Sequence, residues 1–361
     1  MYTKLRKTKE GVDDLIPSIT KILNMKEPGE LYSGNPDTIK EEYANLAKAH
    51  HPDKNGNTDE ATEAMAKIND WYQLSLELIK DGKWMTPGVI KLSAKDNKTY
   101  EVKYRVAHDF ELGKMYIGNT VVLYLVNNLH KDLFDNTSKI INGFTFASSD
   151  MKEEVSKYLP KILAKFETKD DQLGIVIQKT PDLFLLKDVL EYFDGKVPDR
   201  HVAWILSSLY NITCYMDYAK LSQNAISLDT YFISTKYHSG SLLGGWWYSV
   251  PQGEKMLGVS EKVYSVMPPQ VKSKKSGNIQ TDLEAIRLIG RELLGDKNGT
   301  KLASMGIPQP FIDWLRGVSS TKALKDYSDW REVLNKSYGE RKFVELNIDD
   351  KEFYEKIKRK R

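Results

Sequence analysis

The chain has 361 residues, more than one hydrophobic core usually organises, and its 40% apolar content is enough for two. Its 53 basic and 50 acidic residues leave a net charge of +3, so no whole-chain field advertises a nucleic acid or an anionic membrane. The single cysteine, Cys214, lies in an apolar helical pattern and excludes an internal disulfide framework and a cysteine-based zinc cluster. Residues 1–10 are lysine-rich without the apolar stretch of a signal peptide, and no long uncharged apolar run follows. A soluble, cytoplasmic protein in a reducing compartment is expected, without a membrane partner.

Residues 1–14 are charged and without periodicity, which predicts a loose arm. Ile16, Ile19, Ile22 and Leu23 form a short apolar stripe, and residues 25–34, with Pro28-Gly29 and Ser33-Gly34, read as a loop. Asn35-Pro36 restarts a helix, with Asn35 as N-cap and Pro36 at the tolerated first position. Ile39, Tyr43, Leu46, Ala47 and His50 then recur at helical spacing, with Lys40, Glu41, Glu42, Asn45 and Lys48 on the other face. Pro52 cannot extend that helix, and Asp53, Lys54 and Asn55-Gly56-Asn57 want water, so His51-Pro52-Asp53-Lys54 is an exposed loop. Ala61, Ala64, Met65, Ile68 and Tyr72 repeat the helical period, which runs on through Leu76 and Ile79 to Asp81-Gly82. Two amphipathic helices joined by a short loop must pack apolar face to apolar face, which leaves residues 51–54 at the tip of an antiparallel hairpin.

This arrangement resembles the J-domain of the DnaJ family. The likeness rests on the Tyr43-x-x-Leu46-Ala47 helix feeding His51-Pro52-Asp53-Lys54, and on Lys67-Ile68-Asn69-Asp70-Trp71-Tyr72, where the family has an Ile-Asn-x-Ala-Tyr pattern. The resemblance implies a J-domain over residues 1–84. It also implies that His51, Pro52, Asp53 and Lys54, with Tyr43, Lys48 and His50 of the preceding helix, dock on a DnaK-type heat-shock chaperone and trigger its ATP hydrolysis. Two departures bear on affinity and partner choice. Ala44 stands where Arg or Lys is common, and Glu41-Glu42 dilutes the basic face.

From Gly88 the period changes. Residues 89–92, 99–106, 114–117 and 120–126 read as strands of an antiparallel meander, with turns at Asp96-Asn97 and Gly118-Asn119. A helical stripe follows over Met151, Val155, Tyr158, Leu159, Ile162, Leu163 and Phe166, which Pro160 should kink or restart. Then come a strand over 173–178, a short helix around 186–193, a long helix from Arg200 to about Ala219, and a mostly helical remainder. The fold class is therefore mainly α with a β-rich lobe, an α+β arrangement in which a small sheet lobe precedes a larger helical lobe.

That order is similar to the protein-kinase fold, over roughly residues 90–340. Residues 223–233 look like the catalytic-loop segment and the strand after it, residues 239–246 stand where the family has its metal-binding loop, and Met267-Pro268-Pro269 resembles the end of the activation segment. Residues 281–295 look like the central helix of the helical lobe, whose early Asp, here Asp282, buttresses the catalytic loop. The resemblance implies a two-lobed kinase-like domain over residues 85–345, followed by a basic tail over 346–361. Kinase chemistry needs a lysine on the third strand, a general-base Asp, a metal-ligating Asn and a magnesium-binding Asp. On this alignment Tyr124 replaces the lysine, Ala225 the base, Thr230 the Asn and Gly244 the magnesium Asp. Only Gly113 and Gly118 remain of the glycine-rich loop, and Asp229 is the one carboxylate nearby; a register slip of a few residues would bring it or Asn224 into play. The domain reads as a pseudokinase, not an enzyme, with no cofactor or metal.

Trp246 and Trp247 read as core, as a plug of the nucleotide cleft, or as an aromatic anchor for a partner. His108, His130, His201 and His238 lack metal-site spacing. Residues 272–275 and 356–361 are basic runs with no interleaved aromatic, so nucleic-acid binding is not expected. The expected function is a J-domain co-chaperone that recruits a DnaK-type chaperone and uses the kinase-like domain to reach an unknown protein client. The alternatives are an atypical kinase or nucleotide-binding enzyme regulated by a J-domain, and a nucleic-acid-associated adaptor.

Overall fold

The computed structural model of the chain describes residues 16–25, 27–81, 84, 88–340 and 344–360. The arm expected over 1–14 lies outside the described residues. The chain divides into two compact units, one reaching to Tyr104 and the other beginning at Arg105.

In the first unit, α1 (Ile19–Asn24) starts where the Ser18 hydroxyl accepts the Lys21 amide. A 3-10 turn over Pro28–Glu30 then brings Tyr32 into the core, where its hydroxyl donates to the Ile68 carbonyl at 2.8 Å. The expected loop over 25–34 is thus partly structured by one buried aromatic. Helix α2 (Ile39–His50) begins at Thr38 rather than at Asn35. The Asn35 side chain accepts the Asp37 amide, which closes a turn instead of capping a helix. Helix α3 (Asp59–Lys80) is capped by Thr58 and packs antiparallel to α2. Their faces bury Ile22, Tyr32, Ile39, Leu46, Ala64 and Ile68 as one cluster, with each large aliphatic contributing about 1.5–3 kcal/mol. Gly34, at φ +74°, passes so close to the Trp84 indole that a Cβ there would overlap the ring. Strands β1 (Gly88–Ser93) and β2 (Thr99–Tyr104) complete this unit as an antiparallel hairpin turning at Asn97, φ +63°.

The strand expected over 99–106 is two strands. β2 ends at Tyr104, and β3 (Val106–Phe110) enters a different ladder, with β4 (Gly113–Ile117). The break follows from pairing, since the Arg105 amide donates to Ile117 of β4 at 2.7 Å while β2 pairs with β1. The meander continues into β5 (Val121–Asn127), buried along six of its seven residues. Helix α4 (Lys131–Asn142), absent from the sequence reading, carries a plain helical stripe of Leu133, Phe134, Thr137, Ile140 and Ile141. The helix expected over 151–166 is shorter. α5 (Ser149–Ser156) stops before Pro160, and residues beyond it form β6 (Ile162–Glu167), which pairs with β7 (Gln172–Gln178). The five-stranded antiparallel sheet has the order β3-β4-β5-β7-β6.

The helical part begins with β8 (Leu183–Leu185), α6 (Leu186–Tyr192) and α7 (Asp199–Tyr218). It is not helical throughout. β9 (Leu221–Ser222) pairs with β12 (Val250–Pro251), and β10 (Tyr231–Ser234) lies between β11 (Ser239–Leu242) and β8. After α8 (Glu261–Tyr264) and α9 (Pro269–Lys274), helix α10 (Ile279–Leu293) is buried on most of its residues, against α7 and α11 (Gln309–Arg316). Helix α12 (Ala323–Tyr338) is pinned to α10 by Arg287, whose guanidinium grips Asp326 bidentately at 2.9 and 3.0 Å in full burial. Residues 346–361, expected as a basic tail, contain α13 (Asp350–Arg359). Phe353, Tyr354 and Ile357 are buried on one face, and the ring of Phe353 lies 4.6 Å from that of Phe184. The expected α+β class, with a helical N-terminal unit before a mixed sheet-and-helix region, is what the structure contains.

Candidate functional site

Helix α2 ends at His50 because the next φ/ψ pair, at His51, is not helical and Pro52 supplies no amide. Pro52–Lys54 form a 3-10 turn in which the Asp53 amide donates to His51 Nδ1 at 3.3 Å. The turn is held from below by Asn55, whose amide nitrogen donates to the Ala49 and His51 carbonyls at 3.0 and 2.9 Å. His51 and Asp53 remain open to solvent, with 53% and 77% of their side chains exposed, and Lys48 and Lys54 are exposed beside them. A rigid backbone thus presents an imidazole, a carboxylate and two ammonium groups at the tip of the hairpin.

Two residues grouped with this turn serve the interior instead. Tyr43 stacks on Tyr72 at 4.2 Å and donates to Asn69 at 2.9 Å, which ties α2 to α3. His50, grouped with the docking residues in the sequence, is buried. Neither of its ring nitrogens has a hydrogen-bond partner in proper geometry, and burial lowers its pKa, offset only in part by the Pro17 carbonyl. His50 continues the apolar stripe of Ile39 and Leu46, so its orientation follows from helical spacing. Two stabilising groups were missed by the motif reading. Asn55 is one, and Lys67 is the other; its ammonium donates to the Leu23 and Met25 carbonyls at the end of α1. Glu42, read as diluting a basic face, has its carboxylate engaged by Ser33 and Thr38.

In the second unit, Tyr124 of β5 is buried, and its hydroxyl has no hydrogen-bond partner. Burial raises the phenol far above its ordinary value. Its ring meets Phe110 at 5.6 Å and Trp247 at 5.2 Å, while Phe110 and Trp247 are 5.1 Å apart. Gly244 lies against this cluster, where a Cβ would stand 2.7 Å from the Tyr124 hydroxyl. Ala225, Thr230 and Gly244 share one buried hydrogen-bond network. Gln223 joins its side-chain nitrogen to the Gly244 carbonyl and its oxygen to the Ala225 amide, and Thr230 donates to the Ala225 carbonyl at 2.9 Å. Asp282, fully buried in the first turn of α10, accepts the amides of Gln223 and Asn224 at 2.9 and 2.8 Å. Burial pushes its carboxyl up to about 7 against the opposing pull of those amides.

The Asp229 carboxylate is met by both Lys187 and Lys262. The turn between β3 and β4 is fastened down by Glu111, which accepts from the Tyr248 and Ser260 hydroxyls and the Glu261 amide. Trp246 and Trp247 are buried. His108 meets Asp188 in the interior at 3.1 Å, and His201 and His238 pack around Trp204. Among the described residues no cluster of three metal-ligating side chains occurs, and no helix is long and apolar enough to cross a membrane. A cavity of about 420 Å³ opens between α7 and α12, lined by Trp204, Asn211 and Tyr338, away from the aromatic cluster.

Residues 29–76 match the family model of the DnaJ domain, and the chain carries a DnaJ domain there. No curated protein matches the chain. A DnaJ domain supports a co-chaperone role and implies, in general, partnership with a chaperone of the DnaK type.

Proposed function

We propose that the protein is a J-domain co-chaperone in which the turn His51–Asp53 engages a DnaK-type chaperone, while the second unit, a kinase-like fold without phosphoryl-transfer machinery, captures a protein target. The observation that carries the first half is the exposed His51 and Asp53 pair on a turn made rigid by Asn55. Rigid presentation lowers the ordering cost of docking. The second half is supported by α4 between β5 and β6 of the antiparallel sheet, and by Asp282 buttressing the segment that begins at Gln223. The dead-site reading is supported by Tyr124, Ala225, Thr230 and Gly244 forming a closed aromatic and hydrogen-bonded interior, with no lysine, base or magnesium carboxylate among them. Function on such a fold belongs to its surfaces rather than to its name.

The test is stimulation of a cognate DnaK-type ATPase by the full chain. His51→Gln and Asp53→Asn are each expected to abolish stimulation without changing the melting temperature, because both side chains are exposed. Stimulation by either variant at the wild-type level would overturn the reading.

A further inference from the structure

The basic run at residues 272–275 is given an aromatic neighbour by the fold, which the sequence alone did not supply. Lys272 of α9 places its ammonium 4.6 Å from the ring centroid of Tyr264 in α8, and Tyr264 is 54% exposed. The segment before α8 runs beside the end of α9. Lys255 bridges Ser276, and the Met256 amide donates to the Lys275 carbonyl at 2.9 Å. This brings Lys255 alongside Lys274 and Lys275 and sets Leu257, also 54% exposed, on the same segment. Among the described residues none of Lys255, Lys272, Lys274 and Lys275 is in an ion pair, whereas nearby Lys262 is neutralised by Asp229. Lys275 ends α9 in a left-handed conformation, φ +52°, so the backbone itself turns to present the run.

We infer that this face, formed by Lys255, Leu257, Tyr264, Lys272, Lys274 and Lys275, docks an acidic protein segment bearing an aliphatic side chain. Four unpaired cations supply the complement to carboxylates, and Leu257 and Tyr264 supply the apolar contact that fixes register. A phosphate backbone fits less well. It gains nothing from Leu257, which an aliphatic side chain of a peptide would cover. The inference rests on the reading of the second unit as the target-capturing part, and it names the chemistry of the target.

Fluorescence anisotropy of the full chain tests it, with a labelled short peptide of repeating Glu-Glu-Leu, its Lys-Lys-Leu counterpart and an oligouridylate of equal length. The glutamate peptide is expected to bind at low salt and to be released by added salt. The double variant K272E/K275E should weaken it by about tenfold or more, and Leu257→Ser and Tyr264→Ala should each weaken it without changing its salt dependence. K255E, outside α9, is read in parallel so that a folding defect in one variant cannot imitate the result. The inference is overturned by equal binding of the two peptides, by undiminished binding to both charge variants, or by tighter binding of the oligouridylate than of the glutamate peptide. ATPase stimulation of the chaperone without any peptide is measured on the same preparations. Its absence in the wild type would remove the co-chaperone reading and leave the peptide result standing.

Discussion

Asp282 is a fully buried carboxylate that accepts two backbone amides. Replacing it with Ala leaves both donors buried and unpaired, at about 1–3 kcal/mol each. Thermal unfolding of the full chain should therefore lose several degrees in the transition that reports the second unit, and the ATPase stimulation of the first unit should survive. A melting temperature equal to wild type would mean that the segment 223–224 finds other partners. His50 makes the opposite kind of statement, about pH. Its folded pKa lies below the ordinary 6.5, so the unfolded chain takes up a proton before the folded one does as pH falls. The contribution is fully present above 6.5 and is lost as pH falls through the folded value. The opening free energies of the α2 and α3 amides, from hydrogen exchange corrected for the intrinsic rate at each pH, should fall on acidification below pH 6.5 in the wild type, and that added sensitivity should vanish in His50→Phe.

At the scale of elements, α13 shows how a short charged stretch becomes structure. By charge it reads as a solvated tail, but Phe353, Tyr354 and Ile357 fall on one helical face, and Lys356 and Lys360 reach back to the Tyr192 and Glu191 carbonyls and to Asp194. The two ammonium groups hold the Asp194 carboxyl down at about 2, although at an exposed position this adds little to stability. The apolar face is what matters. Phe353→Ala is expected to destabilise the second unit by about 3–5 kcal/mol, measured by denaturant unfolding, whereas Lys360→Ala should cost less than about 1 kcal/mol. Equal effects of the two variants would show that charge, not burial, docks the helix. Helix α4 was passed over for a related reason. Its stripe is regular but bounded by polar residues, whereas the apolar residues on either side of Pro160 make a longer run that belongs to a helix and a strand.

For the molecule as a whole, the proposed division of labour predicts an absence of phosphoryl transfer. The Phe110, Tyr124 and Trp247 rings fill the interior beside Gly244, and Glu111 fastens the β3–β4 turn to Tyr248 and Ser260. Millimolar ATP with magnesium should not raise the melting temperature, since only ligands that bind the folded state do so, and no label should pass from γ-labelled ATP to the chain or to a generic substrate. Magnesium-dependent labelling abolished by Asp229→Asn would instead identify a working carboxylate and reverse the assignment. On the proposed reading the second unit captures a target, and a J-domain joined to a captured target acts at raised effective concentration.

The sequence alone determined the helical hairpin and its tip, because amphipathic spacing, a proline and a polar loop act locally and need no partner. It also determined the α+β class and the strands β4, β5 and β7, whose apolar runs are bounded by turn residues. Where ring and ammonium groups meet was decided only in three dimensions. The strand over 99–106 divides because its halves pair with different ladders. Tyr264 joins Lys272, and α13 finds its apolar groove, through contacts between residues far apart in the chain or on separate helices. Such contacts depend on which faces meet, and that is a property of the packed chain rather than of any window along it.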